Sequence, residues 1–201
     1  MKIGITINEV LRSFVSQFAY TYDKYIGPTD IKEEDVTSFN LIDFFKFDNI
    51  DKLNSFLYLE APLEIFGHAD QISDGIMNHF NNFIMDIKDD GEHEIELISR
   101  EVNKAKPSTM FFLSKTGCQA DNIRFVGNYE NKWDGVDILI TANPQTLECK
   151  PSGKVSVKVK TPYNKDVSAD YEIDSILDFI KDLELRDRIL NTRITTYEEI
   201  K

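Results

Sequence analysis

Apolar positions recur with two different periods along this chain, and the change falls near residue 90. Ile3, Ile5 and Ile7 form a short β-rich run over 2–7. Val10, Phe14, Val15, Phe18, Tyr22 and Ile26 then follow at helical spacing, and Gly27-Pro28 closes that helix. Residues 29–68 are mixed and aromatic, which predicts short helices separated by polar turns. A second amphipathic helix is predicted over 70–87, with Ile72, Ile76, Met77, Phe80, Phe83, Ile84 and Ile87 on one side. Beyond the Asp89-Asp90-Gly91 turn, strand-like runs at 94–99, 123–126, 136–140 and 154–159 alternate with helical stretches. One of those helices should carry Pro107 in its first turn and run to Lys115. Others are predicted over 174–183 and 185–194. The nearly continuous apolar run Val136-Asp137-Ile138-Leu139-Ile140 suits a buried middle strand of a parallel sheet.

This order predicts a three-layer α/β domain on a parallel sheet, with an inserted, mostly helical cap. The core should comprise 1–12 and 88–194. The leading helix and cap should occupy 13–87, and 195–201 should be a C-terminal tail.

With 201 residues and 41% hydrophobic content the chain is long and apolar enough for a real core. Its net charge of −12 is spread along the whole length. Nucleic-acid binders draw affinity from a basic face, so direct contact with nucleic acid is not expected. No apolar run approaches membrane-spanning length, and Met1-Lys2 leads straight into the first strand without a secretory signal. A soluble protein made in a cytoplasm is expected. Cys118 and Cys149 form no metal or disulfide pattern, and His68, His79 and His93 are scattered, so structural roles are expected for all five.

In open α/β sheets the working residues lie at the carboxyl ends of the strands. Here the first strand runs out as Ile5-Thr6-Ile7-Asn8-Glu9-Val10-Leu11 and the second as Ile98-Ser99. Lys132 precedes the fourth, which continues Thr141-Ala142-Asn143-Pro144. Further on comes Thr161-Pro162-Tyr163-Asn164. This series resembles the haloacid dehalogenase superfamily, in particular its 5′(3′)-nucleotidase-like branch, over roughly 1–12 and 93–182. In that branch the first strand ends in Asp-x-Asp-Gly-Val-Leu and the second in Ser or Thr. A Lys follows, and the fourth strand ends in Asp-Asp-x-Pro.

The resemblance implies an aspartyl nucleophile where this chain has Thr6, and a general acid–base Asp where it has Asn8. Glu9 stands in place of the turn glycine. The carboxylates that would hold Mg²⁺ are replaced by Thr141 and Ala142. A scaffold without phosphatase turnover and without a metal or other cofactor is therefore expected. Ser99 and Lys132 match the family's phosphate-binding positions. They read either as a relict anion pocket or as a strand-end hydroxyl and a surface lysine. Asp137 is expected to contact a loop rather than a ligand.

Three functions follow as alternatives. The first is a structural or interaction protein on a dead phosphatase scaffold. Abundant Phe, Tyr, Ile, Asn and Lys match an AT-rich genome. The chain also resembles a protein that crass-like bacteriophages carry among their head and tail genes, which implies a ring component of the virion neck or tail. Its partners would be copies of itself or neighbouring virion proteins. Phe39, Phe44, Phe45, Phe47, Phe56 and Tyr58 would then supply an interface within 37–66, joined by 185–201. The competing reading is that these aromatics fill the seam between cap and core. The second function is a phosphate or nucleotide sensor that binds without turnover. The third is an active nucleotidase using unusual residues.

Overall fold

The computed structural model describes residues 1–192. In chain order they form β1 (Lys2–Thr6), α1 (Phe14–Tyr25), α2 (Ile50–Ser55), α3 (Ile76–Asp90), β2 (Glu94–Ser99), α4 (Ala105–Lys115) and β3 (Ile123–Phe125). There follow β4 (Ile138–Thr141), α5 (Pro144–Glu148), β5 (Val155–Val159), β6 (Tyr171–Ile173), α6 (Ile176–Lys181) and α7 (Leu183–Leu190). The six strands lie in the order β3-β2-β1-β4-β5-β6, and every pairing is parallel. This is the predicted α/β architecture on a parallel sheet.

Strand alternation explains how the sheet is covered. Ile3 and Ile5 of β1, Ile138 and Ile140 of β4, and Val155, Val157 and Val159 of β5 share one apolar cluster with α3, α6 and Ile189 of α7. The other face carries Ile98 and Leu139, which meet Val126, Trp133 and Val136. Gly4 points to that second face. A methyl there would come within 2.9 Å of the Ile98 and Leu139 side-chain tips and make both shift, whereas glycine lets these two residues close over β1.

Two features differ from the pattern-based expectation. β6 was not expected, because Tyr171-Glu172-Ile173 is too short to show a period. Helix α3, which the helical spacing grouped with the insertion at 13–87, buries Ile76, Met77, Phe80, Phe83, Ile84 and Ile87 in the core of the sheet. The second apolar cluster is built from Val15, Phe18, Tyr22 and residues between 36 and 66, with Ala105 of α4 against it.

For two of the aromatics read as an interface, that second cluster overturns the reading. Phe45 and Phe56, at 1% and 4% exposure, are interior. Phe44, Phe47 and Tyr58 are half-buried against the same cluster. Phe18 sits at the centre, edge-on to Phe45 at 4.8 Å and to Phe56 at 6.0 Å between ring centroids. Phe47 packs on Tyr22 and Phe56. Phe39 instead bridges to the sheet domain, 6.2 Å from Tyr129 and 5.7 Å from Tyr163. In the cap these rings share the core with Val36, Leu41, Leu53, Leu57 and Ile65. Of the expected contact segment 185–201, residues 193–201 lie outside the described ones.

Candidate ligand-binding site

The carboxyl ends of β1, β2 and β4 open into a cavity of about 550 Å³ that the insertion covers. Pairing fixes who meets there. Thr6 stands opposite Ile98, one residue before Ser99, and Ile5 stands opposite Ile140, one residue before Thr141. Thr6, Asn8, Ser99 and Lys132 all line the cavity, whereas Thr141 lies fully buried behind Thr6.

The two threonines satisfy each other. Thr6 Oγ1 donates to Thr141 Oγ1 at 2.9 Å, and Thr141 Oγ1 also accepts from the amide of Asn143 at 3.1 Å. The Asn143 side chain caps α5 through the Thr146 amide. Ala142 contributes a backbone carbonyl, which accepts from Asn164 at 2.9 Å, and a buried methyl. Asn164 comes from the Thr161-Pro162-Tyr163-Asn164 turn and also binds the carbonyl of Val159.

Asn8 is bound to a residue that no sequence motif singles out. Arg12, at 0% exposure, donates through Nε to Asn8 Oδ1 at 2.9 Å. It also reaches Glu101 Oε1 at 2.7 Å, the carbonyl of Phe66 at 3.0 Å and Thr109 Oγ1 at 2.9 Å. Its guanidinium lies over the rings of Phe66 and Phe112. Asn8 Nδ2 completes the triangle by donating to Glu101 Oε1 at 3.2 Å. Burial pulls the Arg12 pKa down, and the Glu101 carboxylate acts against that.

Glu9 adopts a left-handed backbone with φ 58°, a conformation that costs a side-chain-bearing residue free energy and favours glycine. Its carboxyl accepts from the amides of Phe14 and Val15, at 2.8 and 2.7 Å, and so caps the start of α1. Burial pushes its pKa up to about 8, the helix amides pull it down, and nearby Glu33 of the insertion adds to the rise.

The positive side of the cavity is Lys132 and Arg100. Lys132 lies on the turn Glu130–Trp133, anchored by Trp133 Nε1 donating to the carbonyl of Thr146 at 2.8 Å. It is 5% exposed, which corrects the surface-lysine reading. Among the described residues its amine has no hydrogen-bond or ion-pair partner. Burial lowers its pKa to about 8; Glu101 opposes the fall and Arg100 adds to it. Arg100 donates to the Tyr129 hydroxyl at 2.8 Å and lies over that ring at 4.2 Å, while Lys132 lies over the same ring at 5.5 Å. Among the described residues, Arg100 Nε is buried and has no hydrogen-bond partner. Ser99 Oγ accepts from the amide of Glu101 at 3.3 Å.

Residues away from the cavity have local partners. Asp137 accepts from the Lys2 amide at 2.7 Å, at the start of β1 rather than at the cleft. His93 pairs with Asp90 at 3.0 Å, and His68 packs on Phe111. His79 lies on α3, and Cys118 and Cys149 are free thiols.

The Mg²⁺ implied by the family resemblance does not fit this donor set. Thr6 and Thr141 offer neutral hydroxyls bonded to each other, Ala142 a methyl, and Asn8 an oxygen already held by a guanidinium. A hard cation needs several anionic oxygens. The cavity offers Glu101 alone, with Arg12 on it, and among the described residues no group of three or more potential acidic, His or Cys ligands converges.

No protein-family model matches the sequence, and no curated protein does. Among solved structures, the chain is similar to a phosphonoacetaldehyde hydrolase-like protein from Oleispira antarctica. The superposition covers 96% of this chain and 94% of that one, with a TM-score of 0.56 and 12% identity. The likeness supports the class of fold, a haloacid-dehalogenase-like parallel α/β sheet with flanking helices. No helix among the described residues is long and apolar enough to cross a membrane.

Proposed function

We propose that this protein binds a small anion in the cavity between sheet and cap and does not hydrolyse it. The observation that carries this reading is Lys132, an amine held in a covered cavity with no partner of its own. Unpaired buried charge is costly, and a ligand anion offsets that cost. Arg100 and Ser99 line the same cavity. Absence of turnover is supported by the neighbouring chemistry. Thr6 gives its proton to Thr141 rather than to a base, and the acid–base position is the amide of Asn8. Losing a general acid or base alone lowers rates by about 10²–10⁴-fold.

The test is titration calorimetry with inorganic phosphate. Saturable binding is expected, and Lys132→Met should weaken it at least about tenfold, since a hydrogen bond to a charged group contributes about 1.5–3 kcal/mol. The variant should melt no lower than the parent, because it removes an unpaired buried amine. No saturable binding of millimolar phosphate by the parent would overturn the proposal.

One observation favours a second reading, a self-assembling component of the kind virions use. Tyr25, Leu59 and Leu63 are exposed along one groove of the insertion, and Leu63 and Phe111 meet beside Gly67. This face, rather than the inward Phe39–Tyr58 aromatics, would be the contact. Sedimentation velocity over a hundredfold concentration range tests it. A defined oligomer that Leu63→Ser dissociates supports it, and a monomer throughout refutes it.

A further inference from the structure

Glu101 is out of place in a cavity that serves anions alone. It is 4% exposed, lines the cavity beside Arg100 and Lys132, and would repel a bound phosphate or carboxylate. Arg12 and Asn8 both use its Oε1. Its Oε2 is buried and, among the described residues, has no hydrogen-bond partner. Buried acceptors in folded proteins are almost always satisfied, so an orphaned carboxylate oxygen calls for an occupant.

The candidate donors inside the chain do not fill that role. Arg12 is the ion-pair partner found for Glu101; Lys132 stands close enough to feel its charge and, like Arg100, makes no bond to it among the described residues. Among the described residues, the side chains that line the cavity therefore include an amine, a guanidinium Nε and a carboxylate oxygen with no hydrogen-bond partner. Groups of opposite sign set around one space are matched by a ligand that carries both signs. The surrounding wall suits a cation next to Glu101. Tyr58, Tyr129 and Tyr163 line the same space, and aromatic faces attract ammonium groups. The volume of about 550 Å³ exceeds what a phosphate alone would fill and falls in the ordinary range for small-molecule sites.

Building on the anion-binding reading above, we infer that the ligand is a small zwitterion, whose anionic group meets Lys132 and Arg100 and whose primary ammonium donates to Glu101 Oε2. The competing occupant of that oxygen is a water molecule, which would give no preference for an amine.

Calorimetric titration of the unmodified protein with O-phosphoethanolamine and with propyl phosphate separates these cases. The two share the phosphate and the chain length and differ by ammonium against methyl. O-phosphoethanolamine is expected to bind at least tenfold more tightly, the effect of one charge-assisted hydrogen bond. If both bind with less than a threefold difference, or propyl phosphate binds better, the ammonium site is wrong while anion binding stands. If neither shows saturable binding, both the zwitterion and the anion-binding reading fall.

Discussion

Arg12→Met is expected to remove about 3–5 kcal/mol of folding stability, the usual cost of taking away one partner of a buried ion pair. The size follows from what the guanidinium holds together. It joins Asn8 after β1, Glu101 after β2, the Phe66 carbonyl of the insertion and Thr109 of α4. Methionine fills much of the same volume between Phe66 and Phe112 but leaves the Glu101 carboxylate buried without its counter-ion. Urea denaturation followed by circular dichroism reads the loss directly. Adding Glu101→Leu should recover part of it, because the stranded charge goes too. Full recovery is not expected, since Asn8, Thr109 and the Phe66 carbonyl still lose their donor. A single variant within 1 kcal/mol of the parent would mean that this network does not tie the cap to the sheet.

Glu9→Gln should stabilise the protein at pH 8 and above and remove a pH dependence present in the parent. The native state raises the Glu9 pKa from 4.5 to about 8, chiefly by burial. Between those values the folded protein keeps the proton and the unfolded chain releases it. Stability from this group is therefore complete below pH 4.5 and is lost as pH rises to about 8. Lys132 acts in the opposite sense. Its pKa falls from 10.5 to about 8, so the unfolded chain binds the extra proton and stability recovers as pH rises from about 8 to 10.5. Together the two groups place a trough near pH 8. Glutamine at position 9 keeps an oxygen for the Phe14 and Val15 amides and carries no charge that burial would penalise. Thermal melts from pH 4.5 to 10.5 should show the descending limb flattened in Glu9→Gln and the ascending limb flattened in Lys132→Met. Parallel profiles for Glu9→Gln and the parent would show that Glu9 is ionised in the folded protein at neutral pH.

The sheet was legible because β-branched and other apolar runs such as Ile3–Ile7 and Val136–Ile140 carry their own signal. Boundaries moved where hydrogen bonding ended a strand early. The carbonyl of Ile7 accepts the amides of Leu11 and Arg12, which turns the chain out of β1 at once. The strand-end positions Thr6, Ser99 and Thr141 came together as the motif order implied. Lys132 was placed in sequence, but its burial depends on Trp133 packing between β2 and β4, contacts far apart along the chain. Arg12 and Glu101 were invisible for the same reason. Each reads locally as an ordinary surface charge, and only the fold brings residues 89 positions apart to 2.7 Å. The aromatics between 39 and 58 gave composition without direction, and composition alone does not say whether a ring faces its own core or another chain.

Binding without hydrolysis is best tested by phosphorus NMR on the protein mixed with O-phosphoethanolamine and Mg²⁺ over a day. One spectrum series reports both halves of the claim, since the ester and inorganic phosphate resonate separately. The account predicts an ester signal that broadens or shifts in proportion to protein and an inorganic phosphate signal no larger than in the protein-free control. An ester signal unaffected by protein would contradict binding. Protein-dependent growth of inorganic phosphate, absent in a Thr6→Val variant, would contradict the absence of turnover and make the Thr6–Thr141 pair part of an active phosphatase.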